Sequence, residues 1–415
     1  MKEKNLDSRR WLVLIASCLI NLCIGSIYAW SVFASPLAEK LSALSGGELT
    51  SASLSIVYTV ANSVGPVTMI SGGYINDKLG PRWVVFAGGL LFGGGMLASG
   101  FATSIPMLVV TYGLGCGLGM GLAYGCTINN SVKFFPDKRG LIGGIATATY
   151  GLSSVLVPPV ANLLISGSGI SQAFIVLGVA FVLIVGVFSQ FILKCPENYC
   201  PAGYQPKAAQ GGAVLSNDKN WREMLADPTF YMMIFMLMCW AFSGLMITSQ
   251  ASPMAQSITG MGAGLAAMVV SVLALFNAAG RVVAGSLSDR FGRVTVLLAA
   301  FLLEIVGLVI LLTTGAGGVA QFIAGVSIMG ICFGALMGVY PGFTADQFGA
   351  KNNSVNYGIM FIGFALAGCL GPSVVGRVLT STGSYSGAFL IAGGLAVLSI
   401  VLALLYQKTT KKKTI

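Results

Sequence analysis

The sequence contains no histidine, and only two of its nine cysteines lie outside apolar runs. Histidine is the commonest metal ligand and the usual proton-transfer group near neutral pH, so its absence disfavours a metal centre and a nucleophile–base pair. The two cysteines in a polar segment, Cys195 and Cys200, form a C-x4-C pair without two further ligands, and reduced thiols are the simpler interpretation. The sequence therefore predicts that the chain is not an enzyme and binds neither a metal nor a cofactor.

Charged residues are scarce as well. They make up 9% of the chain, while 55% of residues are hydrophobic and the mean hydropathy is +0.85; ordinary globular domains are roughly 25% charged. Apolar stretches of about 20 residues can each cross about 30 Å of hydrocarbon. Twelve such stretches occur, at 11–34, 50–74, 83–102, 105–131, 140–164, 171–193, 229–254, 263–287, 294–314, 318–344, 353–380 and 386–406. The first is too long for the apolar region of a cleaved signal peptide, so we expect it to remain as a span.

The few basic residues are distributed unevenly. If both termini lie on one side of a membrane, that side receives twenty of the 23 lysines and arginines. The other side receives Lys40 and Arg377, and Arg281 lies inside an apolar stretch. Because loops rich in lysine and arginine stay inside, the pattern predicts a multi-pass protein of the cell membrane with cytoplasmic termini. The net charge of +10 follows from this bias and requires no nucleic-acid partner.

One long polar segment, 194–228, separates six apolar stretches from six. It predicts an N-terminal half at 1–193, a cytoplasmic linker, and a C-terminal half at 229–415. A short charged motif recurs in the two halves: GYINDKLGPR at 73–82 returns 212 residues later as GSLSDRFGR at 285–293. Repetition at about half the chain length indicates duplicated membrane bundles, which is an architecture of transporters.

The repeated motif has a mechanical interpretation. Its first glycine allows close helix packing, its aspartate can cap a helix N-terminus or pair with an arginine, and its second glycine forms the turn. Such a cytoplasmic latch would hold one conformation and break in another; the alternative is that the motif only fixes the geometry of the loop. The predicted gating residues are Gly73, Asp77, Gly80 and Arg82 in the first copy and Gly285, Asp289, Gly292 and Arg293 in the second.

The motif, G-x-x-x-D-x-x-G followed by an arginine, resembles the signature loop of the major facilitator superfamily. A narrower resemblance, in residues 26–37, 121–154, 200–206 and 276–281, is to the bacterial oxalate/formate antiporter family, which is related to the monocarboxylate transporters. The resemblance extends over the whole chain. It implies an all-α membrane protein with twelve helices in two pseudo-symmetric six-helix halves, and secondary active transport of small carboxylates by alternating access.

Arg281 is the main candidate for substrate binding. A charged side chain within a span is costly and usually faces a cavity or a partner, and a guanidinium matches a carboxylate in two hydrogen bonds. The residue 212 positions earlier is Met69, so the charge is not a symmetric structural device. The alternative is a structural ion pair, for which Glu304 is the only carboxylate at comparable depth. Asn277 lies one turn before Arg281 on the same helix face.

The resemblance implies that tyrosines and the span-8 arginine line a central cavity. The matching tyrosines are Tyr28, Tyr124 and Tyr150, for which interfacial packing is the alternative. Apolar walls would come from Phe333, Met337 and Phe364. Oxalate-carrying members look to have a lysine eight residues after the start of an Asn-Tyr-Gly motif, where this chain has Phe364. A single arginine balances one negative charge, so a monocarboxylate such as lactate, pyruvate, formate or acetate is favoured over a dianion.

The sequence leaves the coupling of transport open. Glu304 is the proton-coupling candidate, although a packing or lipid-facing position that keeps it protonated is the favoured interpretation for a residue of span 9. Exchange of one anion for another needs no titratable group, and the sequence supports exchange and proton symport equally. The other functions considered are a dicarboxylate antiporter and a carboxylate-sensing receptor, and the linker is short for the output domain of a receptor. A monomer in the lipid bilayer is sufficient for transport of either kind.

Overall fold

The structure is a computed structural model that describes residues 3–196, 199–201 and 218–412, and the regular elements in these ranges are all helical. Three of the twenty basic residues predicted on the side of the termini, Lys2, Lys207 and Lys413, lie outside the described residues. So do residues 197–198 and 202–217 of the linker, and with them most of the 200–206 motif.

The helices follow the predicted apolar stretches along the chain. In the first half they are α1 (Glu3–Ile24), α2 (Trp30–Ser45), α3 (Ser55–Ser63), α4 (Gly65–Leu79), α5 (Pro81–Ser99), α6 (Ile105–Leu108), α7 (Gly117–Phe134) and α8 (Arg139–Ser189). A 3₁₀ turn at Gly25–Ala29 joins α1 to α2, and a π-helical segment at Val109–Cys116 joins α6 to α7. From the linker onward they are α9 (Trp221–Leu225), α10 (Pro228–Thr259), α11 (Ala263–Phe291), α12 (Arg293–Leu312), α13 (Val319–Phe348), α14 (Asn353–Thr382) and α15 (Ser386–Lys412).

Ten helical runs in the described ranges are long and apolar enough to cross a membrane. The difference from twelve has two causes. Helix α8 combines two predicted spans in 51 residues, and Gly169 breaks it because its φ of 82° and ψ of 165° are not helical. The second predicted span is interrupted at Val64, between α3 and α4, so that neither piece is long enough alone. Gly169 lies between the predicted spans at 140–164 and 171–193, and Val64 lies within the predicted span at 50–74. Both differences are therefore compatible with twelve spans, and the predicted all-α, twelve-helix membrane fold is confirmed.

The chain forms two compact units, and each is built from separated segments. Unit 1 consists of Met1–Asp137, Thr149–Asp218 and Thr344–Ile359. Unit 2 consists of Lys138–Ala148, Lys219–Phe343 and Met360–Ile415. The opening residues of α8 therefore pack within unit 2, and the opening residues of α14 pack within unit 1. The division of the chain into halves at 194–228 remains a prediction.

Candidate functional site

Arg281 lies inside α11 and is 2% exposed. Its Nε donates a hydrogen bond to Oδ1 of Asn277, one turn earlier on the same helix, at 2.8 Å. Its Nη1 donates to the backbone oxygen of Thr147, in the opening segment of α8, at 2.5 Å. All three residues belong to unit 2. The structure thus brings the predicted pair Arg281 and Asn277 together and adds Thr147, which the sequence does not predict.

Glycines allow the backbone of this turn to approach two neighbouring helices. A Cβ atom at Gly144 of α8 or at Gly338 of α13 would overlap the carbonyl oxygen of Arg281. A Cβ atom at Gly334 of α13 would overlap the carbonyl oxygen of Asn277. Small residues at helix contacts permit such close approach. The position of Arg281 is therefore set by three helices packed against each other.

The hydrogen-bond acceptors of Arg281 are both neutral. Among the described ion pairs, no carboxylate partners Arg281, and Glu304, the predicted alternative partner, faces Ser243 instead. The two hydrogen bonds use two of the five N–H donors of a guanidinium. A buried cation without a counter-charge costs several kcal/mol, and an anion bound to the remaining donors would offset that cost. The arrangement is therefore chemically suited to an anion.

The predicted wall residues also belong to unit 2. The rings of Phe333 and Phe364 are stacked with centroids 6.2 Å apart. The ring of Phe361 also stacks on that of Phe364, with centroids 4.6 Å apart. Met337 lies one turn after Phe333 on α13 and is buried. A Cβ atom at Gly244 of α10 would overlap the ring of Phe333, so this ring is closely held. The position that the resemblance assigns to a lysine is thus occupied by the middle ring of an aromatic stack.

The three predicted tyrosines form one cluster within unit 1. The ring of Tyr150 lies 5.2 Å from that of Tyr28 and 4.7 Å from that of Tyr124, between ring centroids. Tyr124 and Tyr150 are buried, and Tyr28 is half-buried in the 3₁₀ turn between α1 and α2. The structure brings the tyrosines together, and their contact with a substrate remains a prediction.

The second copy of the repeated motif contacts the start of α8. The two carboxylate oxygens of Asp289 accept hydrogen bonds from the backbone N–H groups of Gly140 and Leu141, each at 2.8 Å. Arg293 Nη1 lies 2.7 Å from the same carboxylate. A Cβ atom at Gly285 would overlap the carbonyl oxygen of Gly140, and Gly292 turns the chain with a φ of 89°. Asp289 therefore caps a helix N-terminus and pairs with an arginine, which are the two roles that the sequence indicates.

The first copy contacts the start of α14 in a different way. Asp77 Oδ2 accepts a hydrogen bond of 3.4 Å from the backbone N–H of Val355, and its Oδ1 lies 2.7 Å from Lys133 Nζ. Its cationic partner is thus a lysine of α7, and Arg82 instead donates to the backbone oxygen of Gln190 at 2.9 Å. Gly80 has a φ of 99°, and a Cβ atom at Gly73 would lie 2.8 Å from the carbonyl oxygen of Ser354. The two copies share the helix cap and differ in the cation.

Glu304 is fully buried in α12, which removes a lipid-facing position from the alternatives. Ser243 of α10 faces its carboxyl group, and the thiols of Cys239 and Cys332 lie close enough to interact with it electrostatically. Among the described ion pairs, none joins Glu304 to Arg281. Glu304 therefore occupies a packed position within unit 2, and its role in coupling remains a prediction.

The linker cysteines show no feature of a metal or redox site. Within the described ranges, no group of three histidine, cysteine, aspartate or glutamate residues can hold a metal ion. Cys195 and Cys200 are not joined by a disulfide bond. Burial raises the pKa of the Cys195 thiol to about 12, against a smaller opposing effect of Lys133, so the thiol is protonated and unreactive at neutral pH.

A cavity of about 230 Å³ opens in unit 2 near the ends of α10 and α12 and the turn before α15. Its lining includes Ser257, Leu311 and Tyr385 and none of the predicted site residues. It therefore contributes nothing to the candidate site.

Known proteins resemble this chain over nearly its whole length. The sequence model of the Major Facilitator Superfamily matches residues 11–290 and 244–415. The chain is 30% identical over 368 residues to an uncharacterized MFS-type transporter, YhjX, of Escherichia coli, with 88% of this chain and 87% of that protein covered. It is 29% identical over 403 residues to the oxalate:formate antiporter of Oxalobacter formigenes, with 97% and 92% covered. The structure of the proton:xylose symporter XylE superposes on this chain with a TM-score of 0.74, and the match covers 97% of this chain and 96% of XylE. The sequence identity is 15%, so the match shows a shared fold.

Proposed function

The chain belongs to the Major Facilitator Superfamily, and from this premise we propose that it is a secondary active transporter of small monocarboxylate anions, which bind to Arg281. One observation carries the proposal: a buried guanidinium with two neutral acceptors and no carboxylate partner among the described ion pairs. Since an unpaired buried cation is costly, a carboxylate is the ligand that best completes this site. The non-enzymatic function expected from the sequence agrees with the family.

The single positive charge supports a monoanion over a dianion. Phe364 stands where the oxalate-carrying relatives are expected to have a second cation, and it is stacked between Phe333 and Phe361. A dianion would leave about one uncompensated charge in a low-dielectric site, at a cost of several kcal/mol. The tyrosine cluster would contribute hydroxyl groups to the same anion, a role that rests on the resemblance.

A dicarboxylate antiporter is the second candidate, and the similarity to the oxalate:formate antiporter favours it. The two candidates differ in the charge of the substrate. The test is uptake of radiolabelled lactate, pyruvate, formate and oxalate into proteoliposomes that contain the purified protein. We expect saturable uptake of at least one monocarboxylate, with oxalate at the level of protein-free vesicles. Saturable uptake of oxalate alone would support the second candidate and reject the first.

We further propose that Asp77 and Asp289 act as latches on the predicted cytoplasmic side of the cell membrane, where both termini would lie. Asp289 holds the first turn of α8 in unit 2, and Asp77 holds the first turn of α14 in unit 1. Release of these turns would allow the change between inward-facing and outward-facing states that alternating access requires. The dipole of a helix N-terminus strengthens the interaction with a carboxylate.

Substitution Asp289→Asn tests the latch directly. We expect amide hydrogen exchange at residues 140–141 to become about 10-fold faster, because a charge-assisted hydrogen bond contributes about 1.5–3 kcal/mol and an amide replaces it only in part. The measurement is hydrogen–deuterium exchange followed by mass spectrometry on a peptide that covers the start of α8. The matched control is Asp227→Asn, since Asp227 caps α10 through Thr229. Equal exchange at 140–141 in the Asp289→Asn variant and the wild type would contradict the latch.

A further inference from the structure

A second polar site lies buried in unit 2, between α10 and α12. Its carboxyl group belongs to Glu304, and Ser243 of α10 faces it. One turn earlier on each helix, the rings of Trp240 and Phe301 are in contact with centroids 4.7 Å apart. Within the described residues, the two carboxyl oxygens of Glu304, the hydroxyl of Ser243 and the indole nitrogen of Trp240 are buried and make no hydrogen bond of regular geometry. Buried polar groups are normally hydrogen-bonded, so four such atoms on two neighbouring helices, three of them in the Glu304–Ser243 pair, require an explanation.

Within the part of the chain that the structure describes, no positive charge is found against this carboxyl group. The titratable groups that the structure places against Glu304 are the thiols of Cys239 on α10 and Cys332 on α13. Cys332 is already engaged, since its Sγ donates to the backbone oxygen of Ala300 at 3.4 Å. Helices α11 and α15 also pack against α12, and no titratable group from either is among the described interactions of Glu304. An isolated ionised carboxylate in an apolar interior is strongly unfavourable, so Glu304 carries a proton in this arrangement.

The site also contains a group that can hydrogen-bond to the ionised form of Glu304. A serine hydroxyl can accept a hydrogen bond from a protonated carboxyl group or donate one to a carboxylate, and an indole N–H can donate to a carboxylate. Neither donor is occupied in the structure. Ser243 can therefore hydrogen-bond to Glu304 whether or not the carboxyl group carries its proton.

Packing connects this site with the candidate anion site. Gly244 follows Ser243 on α10, and a Cβ atom there would overlap the ring of Phe333. Three consecutive residues of α13 connect the two sites. Cys332 lies near the carboxyl group of Glu304, Phe333 belongs to the aromatic stack, and Gly334 packs against the backbone of Asn277. The Glu304 site and the Arg281 site therefore both contact α13, and they are separate sites because Glu304 is not among the described hydrogen-bond or ion-pair partners of Arg281.

From these observations we propose that Glu304 is the proton-carrying group of the transporter, at a site separate from the Arg281 site. The inference rests on the proposed function, and of the two coupling mechanisms that the sequence leaves open, anion exchange and proton symport, it favours proton symport. One carboxylate anion and one proton cross together, so that the net charge moved is zero. The carboxyl group of Glu304 releases its proton to water on the side where the anion leaves, and it takes up a proton on the side where the next anion binds.

The test uses proteoliposomes with a pH-sensitive dye inside and an inward lactate gradient. Undissociated lactic acid crosses lipid unaided, so the acidification of vesicles that contain Arg281→Gln protein is subtracted. We expect wild-type vesicles to acidify above this background, and Glu304→Gln vesicles to acidify at least 10-fold more slowly. Exchange of labelled lactate against internal lactate should remain within about threefold of wild type in Glu304→Gln, because exchange needs no net proton movement. Ser243→Ala should retain acidification and shift its dependence on pH.

Three results would overturn the inference. Wild-type lactate uptake without acidification would show that coupling uses no proton. Unchanged acidification in Glu304→Gln would place the proton elsewhere. Loss of both exchange and acidification in a Glu304→Gln protein that elutes as a single species by size exclusion would make Glu304 part of the anion site or of the folding core. If the wild type carries no monocarboxylate in the exchange assay, the proposed function fails as well, and this outcome differs from the other three.

Discussion

Substitution of Arg281 by glutamine is expected to reduce saturable lactate uptake at least 100-fold. Glutamine keeps a hydrogen-bonding side chain but removes the one positive charge that the described residues supply to the candidate site, and with it the fork that Asn277 and Thr147 hold in place. A 100-fold loss corresponds to about 2.8 kcal/mol, which is within the range for removing one partner of a buried charged pair. The measurement is the initial rate of labelled lactate uptake into proteoliposomes.

Two further variants make this result specific. Arg281→Lys keeps the charge without the planar fork, so we expect an intermediate loss of about 10-fold. Arg377→Gln carries the same substitution on an exposed arginine of α14 and should leave uptake unchanged. Uptake by Arg281→Gln at the wild-type rate would remove Arg281 from the substrate site.

Substitution Phe364→Lys is expected to change the charge of the preferred substrate. The added ammonium group would lie in unit 2 with Arg281 and would supply the second positive charge that a dianion requires. We expect oxalate uptake to appear above background, because two cations balance its two negative charges. We expect lactate uptake to fall about 10-fold, because a bound monoanion leaves one buried positive charge unbalanced, which opposes the conformational change of the loaded protein. In the variant, the measurement is inhibition of labelled oxalate uptake by unlabelled lactate. In the wild type, it is inhibition of labelled lactate uptake by unlabelled oxalate.

The control for this variant is Phe364→Met. It removes the ring from the stack with Phe333 and Phe361 without adding a charge. We expect weaker lactate uptake and no oxalate uptake. Efficient oxalate uptake by the wild type would contradict the argument from a single charge, whichever substrate the Phe364→Lys variant prefers.

The features predicted well from the sequence are those with a local physical cause. Gly80 and Gly292 have the positive φ values that a tight turn requires, and both motif aspartates accept backbone N–H groups at the start of a helix. The contact between Arg281 and Asn277 follows from their spacing of four residues on one helix.

The features that the sequence does not predict depend on how helices pack. Thr147 contacts Arg281 through its backbone oxygen, and a backbone acceptor leaves no mark on the residue type. Lys133 takes the place next to Asp77 that a nearby arginine was expected to hold, because α7 lies beside that end of α4. The spacing of Gly330, Gly334 and Gly338 on α13 was the available signal for close packing against α11.

The helix irregularities within predicted spans could not be predicted from hydropathy either. Hydropathy measures the length of an apolar stretch, and the interruption at Val64 and the π-helical segment at Val109–Cys116 lie inside stretches that remain apolar throughout. A π-helical segment of this kind arises where a helix adjusts to its neighbours, which a single sequence does not show.

Binding of lactate to the purified protein, measured by isothermal titration calorimetry, tests the central claim most directly. Binding is independent of gating and of proton coupling, so it isolates the anion site. We expect a saturable, one-to-one interaction with the wild type, and in Arg281→Gln a Kd at least 100-fold higher, with no loss of thermal stability that would indicate misfolding. Equal Kd values for the two proteins would show that the anion binds elsewhere and would contradict the assignment of Arg281.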